Sequence, residues 1–243
     1  MIDFIQKALS SRISFGWTNE SLEAIMAGLE PTDGDSVLSV GGSGDQAFAL
    51  LENAATVYVV DNSKSQLDYI RRRTRLLANG NFRRFLEDPK TLGSCSLFNT
   101  GVSEKVKKER NSYFSRERLG RIRAKVENLR VLGPMELTRA IRFMPGLTRL
   151  YLSNALEYGK KLQEFSADSA LRSIARNLQP GSLIYVSNHD DLERKHGEFN
   201  RNHRWYSPIQ PFLPPTLAID QELTQKARDY QAGRWHPGVY RRI

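Results

Sequence analysis

Residues 37–61, VLSVGGSGDQAFALLENAATVYVVD, join an apolar strand, a glycine-rich turn, a short helix and a second apolar strand ending in Asp61. In doubly wound α/β folds this arrangement holds the adenosine half of a nucleotide-like cofactor. Backbone approaches the ligand at the turn, and the carboxylate takes the ribose hydroxyls. The spacing predicts strands over 36–40 and 56–60, the turn over 41–45 and a helix over 46–52.

Outward from this unit, strands and helices alternate. Upstream, apolar residues at helical spacing predict a helix over 2–13. FGWTNESLEAIMAGLEP supplies another, capped by Thr18 or Asn19 and stopped by Gly28 and Pro31. Downstream, Ser63 or Ser65 starts a helix through SQLDYIRRRTRLLA that ends at Asn79-Gly80. Residues 81–125 read as two or three short basic helices broken at Pro89, Gly93, Gly101 and Gly120. Further strands are expected at 128–132, 147–159 and 182–188, helices at 137–143, 168–181 and 216–231, and a last edge strand in WHPGVYRRI. This order predicts an α/β, doubly wound, mostly parallel sheet in one domain, 1–243, with N-terminal helices in 1–35 and a basic helical insertion or lid at 81–125.

At 243 residues the chain can bury a sizeable core. It has no apolar run of about 18 residues and no signal-peptide pattern, so the expectation is a cytoplasmic protein without a transmembrane segment. The single Cys95 excludes an internal disulfide and any multi-cysteine metal site. His189, His196 and His203 recur every seven residues, but the polar run around Gly197 argues against one helical face. No metal is expected.

The net charge of +9 is unevenly spread: residues 71–130 carry +11 and the remainder −2. Such a patch suits an anionic membrane surface, an acidic substrate or, less strongly, nucleic acid; its plain alternative is a solvated helical face. Phe82, Phe85, Phe98, Tyr113 and Phe114 are the segment's few aromatics, which gives weak support for base stacking.

Gly42-Ser43-Gly44-Asp45-Gln46-Ala47 satisfies the dinucleotide-binding G-x-G-x-x-G/A pattern, and Asp61 lies 19 residues after Gly42. That spacing admits NAD, yet no Tyr-x-x-x-Lys helix or positioned His accompanies it. The strand LYLSNA and the helix-Gln179-Pro180-Gly181-Ser182-strand unit are instead landmarks of class I S-adenosylmethionine-dependent transferases, which the chain resembles over about residues 20–188. Ser39 stands where typical methyltransferases have an acidic residue. That departure, with VLSVGGSGDQA, GWTNE and YLSNALEY, resembles the S-adenosylmethionine:diacylglycerol 3-amino-3-carboxypropyl transferases of betaine-lipid synthesis.

The resemblance implies S-adenosylmethionine as cofactor. Gly41, Gly42, Ser43 and Gly44 would let the backbone reach it, Asp61 with Asn62 would meet the ribose, Arg130 and Val131 would flank the adenine, and Ser153 and Asn154 would lie by the methionine arm. Asp45 would alter where the amine of that arm is held, or serve as a first-turn helix acid; Trp17 would fold over the cofactor or pack in the core. Because the sulfonium activates three carbons, geometry selects the product. The expected reaction is 3-amino-3-carboxypropyl transfer to a small-molecule or lipid acceptor, with methyl transfer as the alternative and a non-catalytic cofactor-binding protein as a third reading. Asn154, His189 and Asp190 are the catalytic candidates, followed by Asp191, Tyr113 and His236.

Overall fold

Buried on both faces, the strands of a parallel sheet read as continuous apolar runs. Val37, Leu38, Val57 and Val59 are accordingly fully enclosed. The computed structural model describes residues 13–87, 104–155, 167–187, 213–231 and 235–243. The expected helix over 2–13 lies almost wholly outside these. Seven strands form a mostly parallel sheet in the order β3-β2-β1-β4-β5-β7-β6: β1 (Ser36–Val40), β2 (Thr56–Val60), β3 (Leu129–Val131), β4 (Arg149–Ser153), β5 (Leu183–Val186), β6 (Leu217–Ile219) and β7 (Gly238–Arg242). The α/β doubly wound expectation holds.

The chain divides into two compact units, one of residues 1–22 and 31–137, the other of residues 23–30 and 138–243. In the first, β1 pairs in parallel with β2, Val40 opposite Val60, and β2 with β3, Val59 opposite Val131. Around them lie α2 (Asp45–Leu51), α3 (Lys64–Ala78), α4 (Phe82–Leu86), α5 (Glu104–Tyr113) and α6 (Arg116–Ala124). Ser63 caps α3 by accepting the Gln66 amide at 3.3 Å. Gly120 does not break the basic helices; it lies inside α6 with open space where a Cβ would stand.

The basic segment is docked through its aromatics. Phe48 of α2, Phe85 of α4 and Phe114 form consecutive edge-to-face pairs at 5.0 and 5.6 Å, and Tyr113 continues the row at 5.3 Å. Each such pair is worth about 0.5–1.5 kcal/mol beyond its burial. Phe85, Tyr113 and Phe114 are buried, so these three rings serve packing rather than base stacking.

In the second unit β4 and β5 are parallel, while β7 pairs antiparallel with both β5 and β6. The core here is built from Leu150, Leu152, Leu171, Ile174, Ile184 and Tyr240. α1 (Leu22–Leu29), most of which belongs to this unit, includes Gly28, read from the sequence as a stop; Tyr185 and Val239 crowd that glycine too closely for a Cβ. Further helices among the described residues are α7 (Leu137–Arg142), α8 (Ala167–Arg176) and α9 (Gln221–Tyr230). The expected helix over 216–231 is therefore a strand followed by a helix, divided by Asp220, whose side chain accepts the Leu223 amide at 3.0 Å. The WHPGVYRRI strand is interior to the sheet rather than at its edge.

Candidate functional site

β1 and β2 deliver the glycine loop and Asp61 to the carboxyl ends of two neighbouring parallel strands, where ligands of open α/β sheets bind. Gly41 anchors the turn: its amide donates to Val60 O at 2.7 Å and its carbonyl accepts from Gly44 N at 2.7 Å. The Asp61 carboxylate lies so near that a Cβ on Gly41 would stand 2.8 Å from Oδ2. The two positive-φ positions differ. Gly42 has φ +45° and nothing within 4 Å of a notional Cβ, whereas Gly44, at φ +82°, would drive a Cβ to 2.9 Å from Ile70 Cγ1. Gly44 thus seats α2 against α3, and Gly42 leaves an open cradle of backbone beside a carboxylate.

Asp61 Oδ2 accepts the Gly42 amide at 3.2 Å and Oδ1 the Ser63 amide at 2.8 Å. A carboxylate has about four lone-pair positions, so each oxygen retains capacity for a diol. Burial pushes this carboxyl above its ordinary value, opposed by the amides of Ser63, Gly42 and Asn62. Asn62 itself is exposed. At β3, Arg130 is exposed and Val131 half-buried; the Val131 carbonyl accepts from Arg71 Nη2 at 3.3 Å.

Ser43 and Asp45 turn inward. Asp45 is fully buried: Oδ1 accepts Arg73 Nη2 at 2.7 Å, while Oδ2 accepts Arg110 Nε at 2.9 Å, the Thr18 amide at 3.0 Å and the Ser43 hydroxyl at 3.1 Å. Arg73 also donates to Ser43 O at 2.8 Å. Burial alone would raise the Asp45 carboxyl, but the Arg110 and Arg73 charges, with bonds from Arg110 and Thr18, hold it well below the carboxylate range. Both oxygens are thus engaged within the protein. Thr18 is no cap of α1; its hydroxyl accepts the Glu20 amide at 3.1 Å and Gln46 Nε2 at 2.9 Å, tying the GWTNE segment to α2.

The other end of α2 repeats the pattern. Glu52 accepts Arg121 Nη2 at 2.6 Å, Arg121 Nε at 2.9 Å, the Tyr113 hydroxyl at 3.3 Å and Arg118 Nη1 at 3.5 Å. Part of the basic excess is therefore internal compensation for two carboxylates on α2. Tyr113, held by Glu52 and buried, is not presented as a base. Trp17 is half-buried, with Lys107 Nζ 4.8 Å and Arg110 Cζ 5.8 Å from its ring centre.

Sequence reasoning missed Arg73, Arg110 and Glu52. A signal existed for Arg73, which continues the stripe Gln66, Tyr69, Ile70 and Leu77 along α3, all buried. In the second unit Ser153 ends β4 with φ +52°, uncommon outside glycine, and half-buried Asn154 follows. Backbone strain of this kind gathers at functional positions. His189, Asp190 and Asp191 lie outside the described residues, and His236 is exposed. Among the described residues no His/Cys/Asp/Glu group could hold a metal, and no helix is long and apolar enough to cross a membrane.

No family model matches the sequence, and no curated protein matches it. Solved structures do. TrmN from Thermus thermophilus is similar at a TM-score of 0.53 and 14% identity over 98% of this chain, which spans only 53% of TrmN. The N-methyltransferase NodS from Bradyrhizobium japonicum, solved with S-adenosyl-L-homocysteine, gives a TM-score of 0.46 and 10% identity over 90% of this chain and 83% of its own. An rRNA methylase from Streptococcus thermophilus gives 0.41 and 10% over 90% and 94%. At these identities the likeness is one of fold: the chain has the Rossmann-like fold of the class I S-adenosylmethionine-dependent methyltransferases.

Proposed function

We propose that this protein is an S-adenosylmethionine-dependent transferase and that the group it moves is the methyl. The carrying observation is the pairing of an open backbone cradle at Gly42 with the Asp61 carboxylate at the ends of β1 and β2. Gly42 would face the cofactor's adenosyl portion, Asp61, with Asn62 beside it, would take the ribose hydroxyls with its remaining lone pairs, and Arg130 and Val131 would border the adenine. Bound there, S-adenosylmethionine supplies a carbon made electrophilic by its sulfonium.

Methyl transfer is favoured over 3-amino-3-carboxypropyl transfer by the fold and by Asp45. The alternative reaction requires the methionine arm to be turned toward the acceptor, and Asp45 is the loop residue placed to re-site its amine. Engaged by Arg73 and Arg110, its oxygens are committed elsewhere. The sequence resemblance through GSGDQA and LSNALEY keeps carboxypropyl transfer as the second reading. Ser153 and Asn154 are proposed to serve the methionine and acceptor side, with His189 and Asp190 as acceptor-side base candidates; the acceptor is a small molecule or lipid. Incubation with labelled cofactor and cell extract separates the outcomes. S-adenosylhomocysteine supports methyl transfer, methylthioadenosine supports carboxypropyl transfer, and neither product defeats both.

A further inference from the structure

Two buried guanidiniums share one carboxylate. Arg73 and Arg110 are 0% and 3% exposed, and among the described residues each makes its ion pair with Asp45 alone. Asp45 supplies one negative charge against their two, and each guanidinium keeps a buried donor that an anion could take. Arg110 Nη2 and Trp17 Nε1 are both buried donors without an acceptor among the described residues. Unsatisfied buried donors in a native fold call for an explanation, such as a bound ion.

Both residues line an open cavity of about 640 Å³ on α5, together with Lys107, Lys108, Asn111 and Ser112. Helical spacing brings these α5 residues to one side: Lys107 and Asn111, like Lys108 and Ser112, are four apart. Exposed Lys108 has no ion pair among the described residues. Lys107 and Arg110 already sit against the indole, which favours a compact anionic group over a base that would need the ring face.

We infer that this cavity, bounded by Trp17, Lys107, Lys108 and Arg110, is a binding site for a phosphate group. Three cations, an indole N–H and the side chains of Asn111 and Ser112 surround it, a donor set matched to several phosphate oxygens. Through Arg110 and Asp45 the site is linked directly to the glycine loop. That the phosphate belongs to the acceptor rests on the transferase reading; the binding itself does not.

The test titrates the full chain with inorganic phosphate at constant ionic strength, following heat and indole fluorescence, beside the Lys107→Ala/Lys108→Ala double variant. S-adenosylhomocysteine is titrated separately into both proteins. The wild type is expected to bind phosphate, the double variant about tenfold or more weakly, and both to take S-adenosylhomocysteine alike. No phosphate binding by the wild type, or equal binding by the variant, overturns the site. A parallel loss of S-adenosylhomocysteine also overturns it, because the cations would then serve the cofactor. Vesicles of phosphatidylglycerol, set against phosphatidylcholine, identify the source. Lysine-dependent capture assigns the phosphate to a lipid headgroup, and phosphate binding without capture assigns it to a soluble compound.

Discussion

Replacing Asp45 by Asn keeps the side chain's shape and removes its charge. Arg73 and Arg110 would then face an amide at 2.7 and 2.9 Å, and both buried guanidiniums would lose the carboxylate they share. Removing one partner of a buried pair costs about 3–5 kcal/mol, a large part of a domain's total of about 5–15 kcal/mol. With a urea slope near 3 kcal/mol/M, the unfolding midpoint should fall by roughly 1–2 M. Arg110→Met should cost less, since it leaves Asp45 and Arg73 matched one to one, and the double variant should recover part of the Asp45→Asn loss. The pH dependence follows from the lowered Asp45 carboxyl. Its contribution is complete above the ordinary value of 3.8 and is lost as pH falls below it, so wild type should show an acid-side loss that Asp45→Asn lacks. A loss below about 1 kcal/mol for Asp45→Asn, or a greater loss for Arg110→Met, would refute the charge arithmetic.

Gly42→Ala and Gly44→Ala should separate binding from folding. The first meets open space and should cost about 1–2 kcal/mol of backbone strain while blocking S-adenosylhomocysteine; the second adds a 2.9 Å contact with Ile70, and thermal melting should show it the less stable. Because the diol needs an ionised acceptor and burial raises the Asp61 carboxyl, calorimetric affinity for S-adenosylhomocysteine should begin to fall with acidification above the ordinary carboxylate range. The same raised carboxyl makes Asp61's contribution to stability decline as pH rises through that window. Glu52→Gln should weaken the hold on Arg118, Arg121 and Tyr113, seen as faster proteolysis within α5 and α6 with little change in S-adenosylhomocysteine binding.

What could be read from the sequence was what local patterning determines. Thr56–Val60 is an unbroken apolar run ending at Asp61, and the structure gives β2 those residues. Ser63 and the α3 stripe were equally local. What escaped was set by distant partners. Three-residue β6 is too short to carry a period, and β7 occupies an interior position because β5, more than fifty residues earlier in the chain, pairs with it antiparallel. The site divided likewise. Gly42 and Asp61 announce themselves through type and spacing, but Asp45 looked like a loop residue because its partners Arg73 and Arg110 lie 28 and 65 residues away. Charge counting saw a basic patch; only three-dimensional placement reveals that Asp45 and Glu52 take up some of it.

Isothermal calorimetry of the folded chain with S-adenosylhomocysteine, alongside Asp61→Asn, tests the central claim most directly. Saturable one-to-one binding that Asp61→Asn weakens is the predicted result, and absence of heat from well-folded wild type would contradict it.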